Sequence, residues 1–142
     1  MAVDVNVETI PFIAGEDMEG HNYEILKYNA SGRAVRCTVD ADLVCGVCYI
    51  DIPTRDATQV GQALPMAPIS QPAIIKVKAG GALTRGHLAV PDGTNDGHIK
   101  GVANVAAIPN GVTAIGQILD AATAKGQIVR IQPFYVASAA DA

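Results

Sequence analysis

The sequence predicts an all-β fold: a small β-sandwich or β-barrel of short antiparallel strands, with an extended N-terminal arm and at most one or two short helices. Short segments rich in β-branched residues recur along the 142-residue chain, separated by Gly, Asn, Asp and Pro. Hydrophobic residues make up 49% of the chain, yet aromatic residues only 4%, so Ala, Val, Ile and Leu must form most of the core. Such a composition suits thin, closely packed layers.

Seven strands follow from this pattern. They are predicted at residues 23–28, 34–39, 43–50, 73–78, 83–90, 112–119 and 127–134. Turn-forming residues separate several of them, at Asn29–Arg33, Asp40–Asp42 and Pro109–Gly111. A succession of hairpins joined by such turns would close into a sandwich or a small barrel.

Two segments do not fit the strand pattern. Thr54–Leu64 begins with an N-cap residue type and stops before Pro65, which predicts a short helix, although Gly61 weakens it. Asp120–Lys125 predicts either one helical turn or a loop.

The first twenty residues contain little that could form a core by themselves. We predict an extended arm over residues 1–20 and a single β domain over residues 21–142. Six acidic side chains precede the first basic one, Lys27, which suits either a basic partner surface or an arm kept soluble by its charge. The candidate partner-binding residues are the apolar side chains of this arm: Val3, Val5, Val7, Ile10, Phe12 and Ile13. The alternative is an edge strand packed on its own domain.

Charge and hydropathy exclude several partners. The formal net charge of −4 argues against a nucleic acid held by phosphate contacts. The first residues lack the basic segment and apolar block of a secretion signal, and the longest apolar run, 43–50, is much shorter than the roughly 20 residues that cross a bilayer. We therefore expect synthesis in the cytoplasm and no membrane partner.

A three-residue loop at Asp40–Asp42 would join the second and third predicted strands as a hairpin. All the side chains on one face of that hairpin would be apolar. The predicted opposite pairs are Val39 with Leu43, Cys37 with Cys45 and Val35 with Val47.

The cysteines do not predict a metal site. Cys45 and Cys48 have the spacing of a metal knuckle, but Cys37 is the only further cysteine, and residues three apart in a strand point to opposite faces. The predicted register places Cys37 opposite Cys45, so a cross-strand disulfide is geometrically conceivable. Since we expect a reducing compartment, we predict instead that both remain core thiols and that all three cysteines are free.

The stretch VPDGTNDGHIKG, residues 90–101, resembles a calcium-binding loop in part. The first, third, fifth and sixth positions of that pattern are Asp92, Thr94, Asp96 and Gly97. The twelfth position, however, is Ala103, where the loop needs a bidentate Glu, and strand-like residues flank the stretch. We therefore predict a hairpin tip without a metal.

No pattern of catalytic residues is visible. The three serines do not lie in a nucleophile elbow, and the Gly-rich segment 79–86 leads into a strand instead of a phosphate-binding helix. His87 and His98 would lie about 13 Å apart along their predicted hairpin, too far to share a metal. We expect no enzymatic activity, no metal and no cofactor.

The second half of the chain carries a series of motifs. A Gly-rich lead precedes LTRGHLAV at 83–90, an Asp/Gly turn and an Ala-rich stretch follow, and then come AIGQILDAATAKGQ at 114–127 and IVRI at 128–131. This order resembles the small decoration, or cement, proteins of tailed-phage capsids. The resemblance covers the C-terminal half, the preceding strands weakly and the acidic arm not at all. Its motifs consist of strand and turn residues and are not catalytic signatures.

The resemblance implies a structural virion protein, made in the host cytoplasm, that coats the outer face of the phage head and staples neighbouring major capsid subunits. Its partners would be the major capsid protein and further copies of itself, as a trimer in preference to a dimer. The alternative is a β-sandwich binding module that recognises carbohydrate or serves as a receptor-facing tail or fibre component. Such modules usually display exposed aromatic side chains for stacking on sugars.

Overall fold

The computed structural model describes residues 7–50 and 60–138 and has ten strands in two antiparallel sheets. It confirms the predicted all-β class, in its sandwich form. Within the described residues the only helical element is a three-residue 3-10 helix, Val105–Ala107.

The strands are short and each sheet contains five of them. The first sheet consists of β1 (Ile10–Ile13), β2 (Ile25–Tyr28), β3 (Ala34–Arg36), β4 (Gly46–Cys48) and β5 (Ala63–Pro68). The second consists of β6 (Ile75–Lys78), β7 (Leu88–Pro91), β8 (Ile99–Val102), β9 (Thr113–Ile118) and β10 (Ile128–Ala137). The spatial orders are β1-β5-β4-β2-β3 and β6-β10-β9-β7-β8.

Each of the seven predicted strands overlaps an observed one, but β1, β5 and β8 were not among them. The predicted helix over Thr54–Leu64 lies mostly outside the described residues, and its described end is a turn at Gly61 followed by β5. That end is not helical because Leu64 pairs with Phe12 of β1. Asp120–Lys125 is a loop, the second of its two predicted alternatives.

The predicted hairpin between the second and third strands is wrong. β2 lies between β3 and β4, so that Lys27 pairs with Val35 and Ile25 with Val47. The pairs Val39 with Leu43 and Cys37 with Cys45 therefore do not form. Both Val39 and Leu43 are exposed.

The Asp42 carboxylate explains why the predicted hairpin does not form. Its Oδ2 accepts hydrogen bonds from the backbone N–H groups of Thr38 and Val39 at 2.7 and 3.0 Å, and it binds Nζ of Lys27 at 2.9 Å. The segment 38–42 is thereby folded onto β2 and leads the chain across that strand. A short Asp-rich loop thus makes a crossover here instead of a hairpin.

The two halves of the chain have the same topology. In chain order, the strands of the first sheet take the same places as those of the second. The pairing registers match as well, since Ile10 pairs with Met66 just as Ile75 pairs with Ile131. We refer to β1–β5 with their loops as the first half and to β6–β10 with their loops as the second half.

Residue identities recur at the matching positions. The steps Ala14–Gly15 and Ala79–Gly80 each follow the first strand of a half, and the Gly N–H donates to the carbonyl of Ala34 or Ile99 at 2.8 Å in both cases. Further identical pairs are Gly32 with Gly97, Gly46 with Gly116, Gly61 with Gly126, Gln62 with Gln127 and Pro68 with Pro133. The match in topology, register and residue indicates an internal duplication of one five-stranded unit.

The apolar core is divided into three clusters. One fills the inner side of the first sheet and includes Phe12, Leu26 and Met66. The largest cluster lies between the two sheets, where the outward face of the first sheet packs against the inner face of the second sheet. A small third cluster lies outside the second sheet, at Val90, Ile108, Val112 and Ala114. The first sheet consequently has buried apolar side chains on both faces.

Part of the first half packs against a gap between the two edge strands of the second sheet. β6 and β8 meet only at an isolated bridge between Ala79 and Ile99, and we call this gap, lined by Ile75, Lys78 and Ile99, the second seam. The N–H of Lys78 donates to the carbonyl of Tyr23 at 2.9 Å, so the start of β2 lies directly against the seam.

The β7–β8 hairpin tip fastens the same junction. Gly97 in this tip accepts a hydrogen bond from the N–H of Ile25 and donates one to the carbonyl of Cys37, both at 2.8 Å. The tip therefore occupies the place of one more strand residue beside β2. The predicted hairpin at residues 90–101 is confirmed, and its tip joins the two halves.

Gly97 and its counterpart Gly32 provide a test of this close packing. Both have positive φ, of 76° and 78°, but a Cβ at Gly97 would lie 2.5 Å from Oε1 of Glu24, whereas one at Gly32 would meet nothing within 4 Å. We expect Gly32→Ala to lower the free energy of unfolding by about 1 kcal/mol through backbone strain. Gly97→Ala should lower the free energy of unfolding by about 2 kcal/mol more than Gly32→Ala does, because the new Cβ also collides with Glu24. Urea unfolding measures both, and equal losses would contradict the close approach.

Candidate functional site

The structure separates the predicted partner-binding residues into groups. Val3 and Val5 lie outside the described residues. Val7 packs against the largest core cluster, and Phe12 is only 3% exposed inside its own half. Ile10 and Ile13 are exposed by 43% and 42%. Of the described candidates, these two isoleucines offer the most surface to a partner.

The described part of the arm belongs to the first sheet. β1 pairs along its whole length with β5, with Phe12 opposite Leu64. Just before it, the N–H of Glu8 donates to Oε1 of Gln71 at 3.0 Å, and Nε2 of Gln71 donates to the Glu8 carbonyl at 3.1 Å. Residues 10–13 are therefore an edge strand packed on their own domain, which was the alternative reading of this segment.

A second exposed apolar surface lies where β10 passes the segment before β4. We call it the aromatic groove; it has a volume of about 380 Å³ and is lined by Tyr28, Leu43, Val44, Cys45 and Tyr135. The hydroxyl of Tyr135 donates to the Val44 carbonyl at 2.6 Å, which holds the ring against the first half. Leu43 is 68% exposed, Tyr28 51% and Tyr135 42%.

Sequence reasoning missed this groove. Its walls come from residues far apart in the chain, and Leu43 was assigned to a strand whose predicted register would have buried it. Tyr135 lies one residue beyond the last predicted strand, in a part of β10 that a β-bulge after Pro133 shifts out of register. A register shift of this kind leaves no mark in the alternation of apolar and polar residues.

The junction between the halves contains a cluster of charges around Glu24, which is 3% exposed. Its Oε2 lies 3.0 Å from both Nζ of Lys78 and Nδ1 of His21. Its Oε1 is 3.7 Å from Nη1 of Arg36 and has no hydrogen-bond partner among the described residues. One buried carboxylate thus faces three basic side chains, one of them from the second half.

Electrostatics keeps Glu24 ionised. Burial disfavours the charged form, but hydrogen bonds from His21 and Lys78, together with their charges, outweigh it and hold the pKa of Glu24 below its ordinary value. A cleft of about 350 Å³ beside this carboxylate has a lining of mixed charge that includes Arg36, Asp96 and Lys125. The mixture favours a structural role at the junction over a site for one kind of ion.

The loop that resembles a calcium site satisfies its own carboxylate. Oδ1 of Asp92 accepts from the Thr94 N–H at 3.0 Å, and Oδ2 accepts from Nδ2 of Asn95 at 2.9 Å. Outside the loop, Asp40 accepts from the Gly93 N–H at 2.6 Å and pairs with Lys100. These contacts fasten the loop to the first half.

The cysteines are all free in the structure. Burial raises the pKa of Cys45 to about 11 and that of Cys48 to about 12, and it raises the pKa of Cys37 as well. Thiols with such pKa values are poor nucleophiles and poor metal ligands near neutral pH.

In the part of the chain that the structure describes, no three His, Cys, Asp or Glu side chains converge as metal ligands. None of its helical residues forms a segment of the length and apolarity needed to span a bilayer. Comparison of the sequence with protein-family models and with curated proteins gives no match.

Removing the charge of Glu24 should loosen the junction. Since its folded-state pKa is lowered, the ionised carboxylate stabilises the fold above the ordinary value of 4.5, and this contribution is lost as the pH falls through the folded-state pKa. We expect Glu24→Gln to lower the free energy of unfolding by about 2 kcal/mol at neutral pH and to flatten its decline at acid pH. Chemical unfolding across the pH range measures both. Glu19→Gln, at an exposed carboxylate, is the control; equal behaviour of the two variants would contradict the assignment.

The thiols give a direct chemical test. Titration of the denatured protein without reductant should find three reactive thiols, because all three cysteines are free. In the native protein Cys45 should react first, since it alone is only partly buried, and slowly until the pH approaches its pKa of about 11. A single thiol in the denatured protein would show that a disulfide had formed.

Proposed function

We propose that the protein is a capsid decoration protein, which binds the outer face of a tailed-phage head and staples neighbouring major capsid subunits. The observation that carries the proposal is the series of motifs in the second half. LTRGHLAV leads into β7, AIGQIL forms the body of β9 and IVRI opens β10. These residues thus build one sheet.

A glycine in that series has a clear structural reason. A side chain at Gly116, within AIGQ, would collide with the backbone carbonyl of Gln132 on the neighbouring strand. Gly46 holds the same place in the first half and is blocked by Ala67 and Met66. The motif residues are therefore those that this pair of curled sheets requires, which supports the likeness in architecture.

The aromatic groove is the surface that we assign to the shell. Leu43, Tyr28 and Tyr135 expose apolar area there. Contiguous exposed apolar side chains on a soluble protein commonly mark an interaction surface. The rim is rigid because hydrogen bonds fix both Tyr135 and the turn at Asp42.

A decoration protein gains its affinity from repetition. Several modest contacts on one rigid unit can raise avidity by roughly 100- to 10,000-fold over one contact. Ten short strands around an apolar core provide such a unit.

A second candidate function, carbohydrate binding, is favoured by one observation. Tyr28 and Tyr135 are both exposed and both line the aromatic groove, and tyrosine rings stack on sugar faces. Binding on a glycan array that Tyr135→Ala abolishes would favour this function over decoration.

Binding to shells tests the main proposal. Mixed with expanded, undecorated tailed-phage capsids, the protein should appear as ordered density on the outer face in electron micrographs. Leu43→Glu should weaken this binding about 10- to 100-fold, because a charge would replace an apolar side chain that the shell covers on binding. Ile74→Glu is the matched control, since Ile74 is 43% exposed but lies outside the groove. Undiminished binding by Leu43→Glu would refute the groove, and no binding by folded wild-type protein would refute the function.

A further inference from the structure

Both halves have a seam, but among the residues that the structure describes only the second seam is covered. β1 and β3 meet only at the bridge between Ala14 and Ala34, and we call this gap, flanked by Ile10 and Ile13 of β1, the first seam. Ile10 and Ile75 hold the same position in the two halves. Ile75 is fully buried in the cluster that contains residues of both halves, whereas 43% of Ile10 is exposed.

The free edge of β1 also matches a covered edge. The N–H groups of Lys76 and Lys78 on β6 donate to groups of the first half, at 2.7 and 2.9 Å. Their counterparts on β1 are Pro11, which has no N–H, and Ile13, whose N–H points away from β5 by the same register. The edge of β1 at the first seam thus carries two exposed apolar side chains, one on each face of the strand, and one edge donor.

The surface that covers the second seam has a counterpart too. It is the outward face of the first sheet, which we call the first face: Ile25, Cys37, Val47, Ala67 and Ile69. The matching second face consists of Leu88, Val102, Gln117 and Gln132. Phe134 follows Pro133 as Ile69 follows Pro68, and it lies at the β-bulge that adjoins this face. Ile69 is fully buried, but its counterpart Phe134 is 36% exposed.

The second face is open on one side only. Ile108 and Val112, from the segment that joins β8 to β9, pack with Leu88 and Val102 and cover them in part. The side formed by β9 and β10 remains open, with Phe134 and the exposed Ile128 on it.

We propose that the second face of one copy docks on the first seam of a second copy. This contact repeats between chains the one that joins the halves within a chain. The partner is another copy because the face that fits such a seam is, in this molecule, the outward face of the same five-stranded unit. The contact is head-to-tail, so it closes into a ring or extends as a chain.

The contact between chains is weaker than the one within a chain. Lys78, which pairs with Glu24 at the second seam, has Ile13 as its counterpart at the first seam. The counterpart of Glu24 is His87, which directly precedes Leu88 of the second face. The first-half loop Asn29–Arg33 is also shorter than the tip that inserts at Gly97, and its Gly32 N–H already donates to Asn29. We therefore expect reversible association that depends on concentration.

Sedimentation of single variants tests the two surfaces. Wild-type protein should associate as its concentration is raised, and Ile10→Glu and Phe134→Glu should each weaken association about 10- to 100-fold. Both side chains are exposed, so neither change removes a core residue; Ile13→Glu is the second seam-flanking variant, and melting curves verify folding. Leu43→Glu, in the aromatic groove, should associate like wild type.

A mixture of variants tests the head-to-tail geometry. Ile10→Glu keeps its second face and Phe134→Glu keeps its first seam, so an equimolar mixture should form one-to-one dimers and nothing larger. A mixture that stays monomeric, a wild-type protein that stays monomeric at high concentration, or unweakened association of the single variants would each overturn the proposal. The proposal is independent of shell binding: loss of capsid density with intact association contradicts only the decoration function.

Discussion

The second half of the chain buries the outward face of the first sheet, and the rest of the molecule is arranged around that burial. Ile25, Val47 and Ala67 would otherwise face water, and burying side chains of this kind contributes about 1.5–3 kcal/mol for each large one. The backbone hydrogen bonds of Gly97 to Ile25 and Cys37 fix where the halves meet. Packing provides the energy of this junction, and hydrogen bonds determine its register.

Charge and backbone strain are concentrated at the same place. Glu24 is buried among basic side chains, and the residue before it, Tyr23, has a positive φ of 68°. In the second half, Gly86 holds the position of Tyr23, with φ of 91°. Tyr23 adopts this conformation with its carbonyl bonded to Lys78 and its ring packed edge-on against Tyr49, 5.2 Å between centroids. Contacts across the junction thus offset strain that a glycine would avoid.

Much of the fold could be predicted from the sequence because alternation and turn residues are local signals. Strand positions and the hairpin tip at residues 90–101 followed from them. The strand order did not, since one carboxylate, Asp42, turns a hairpin into a crossover. The duplication was equally hidden, because few residues are shared between the halves. Of the predicted partner residues, Ile10 and Ile13 proved exposed, whereas Phe12 is core; the groove depends on a β-bulge after Pro133 that alternation does not reveal.

The pairing of first and last strands has a consequence for synthesis. β1 pairs with β5, and β6 with β10, so each half closes only when its own last strand has been made. The first half can therefore complete its sheet while the second is still on the ribosome. Throughout that interval Ile25 and Val47 lack the cover that β6 and the Gly97 tip later provide. The pace of translation through the second half thus determines how long a nascent chain remains open to aggregation.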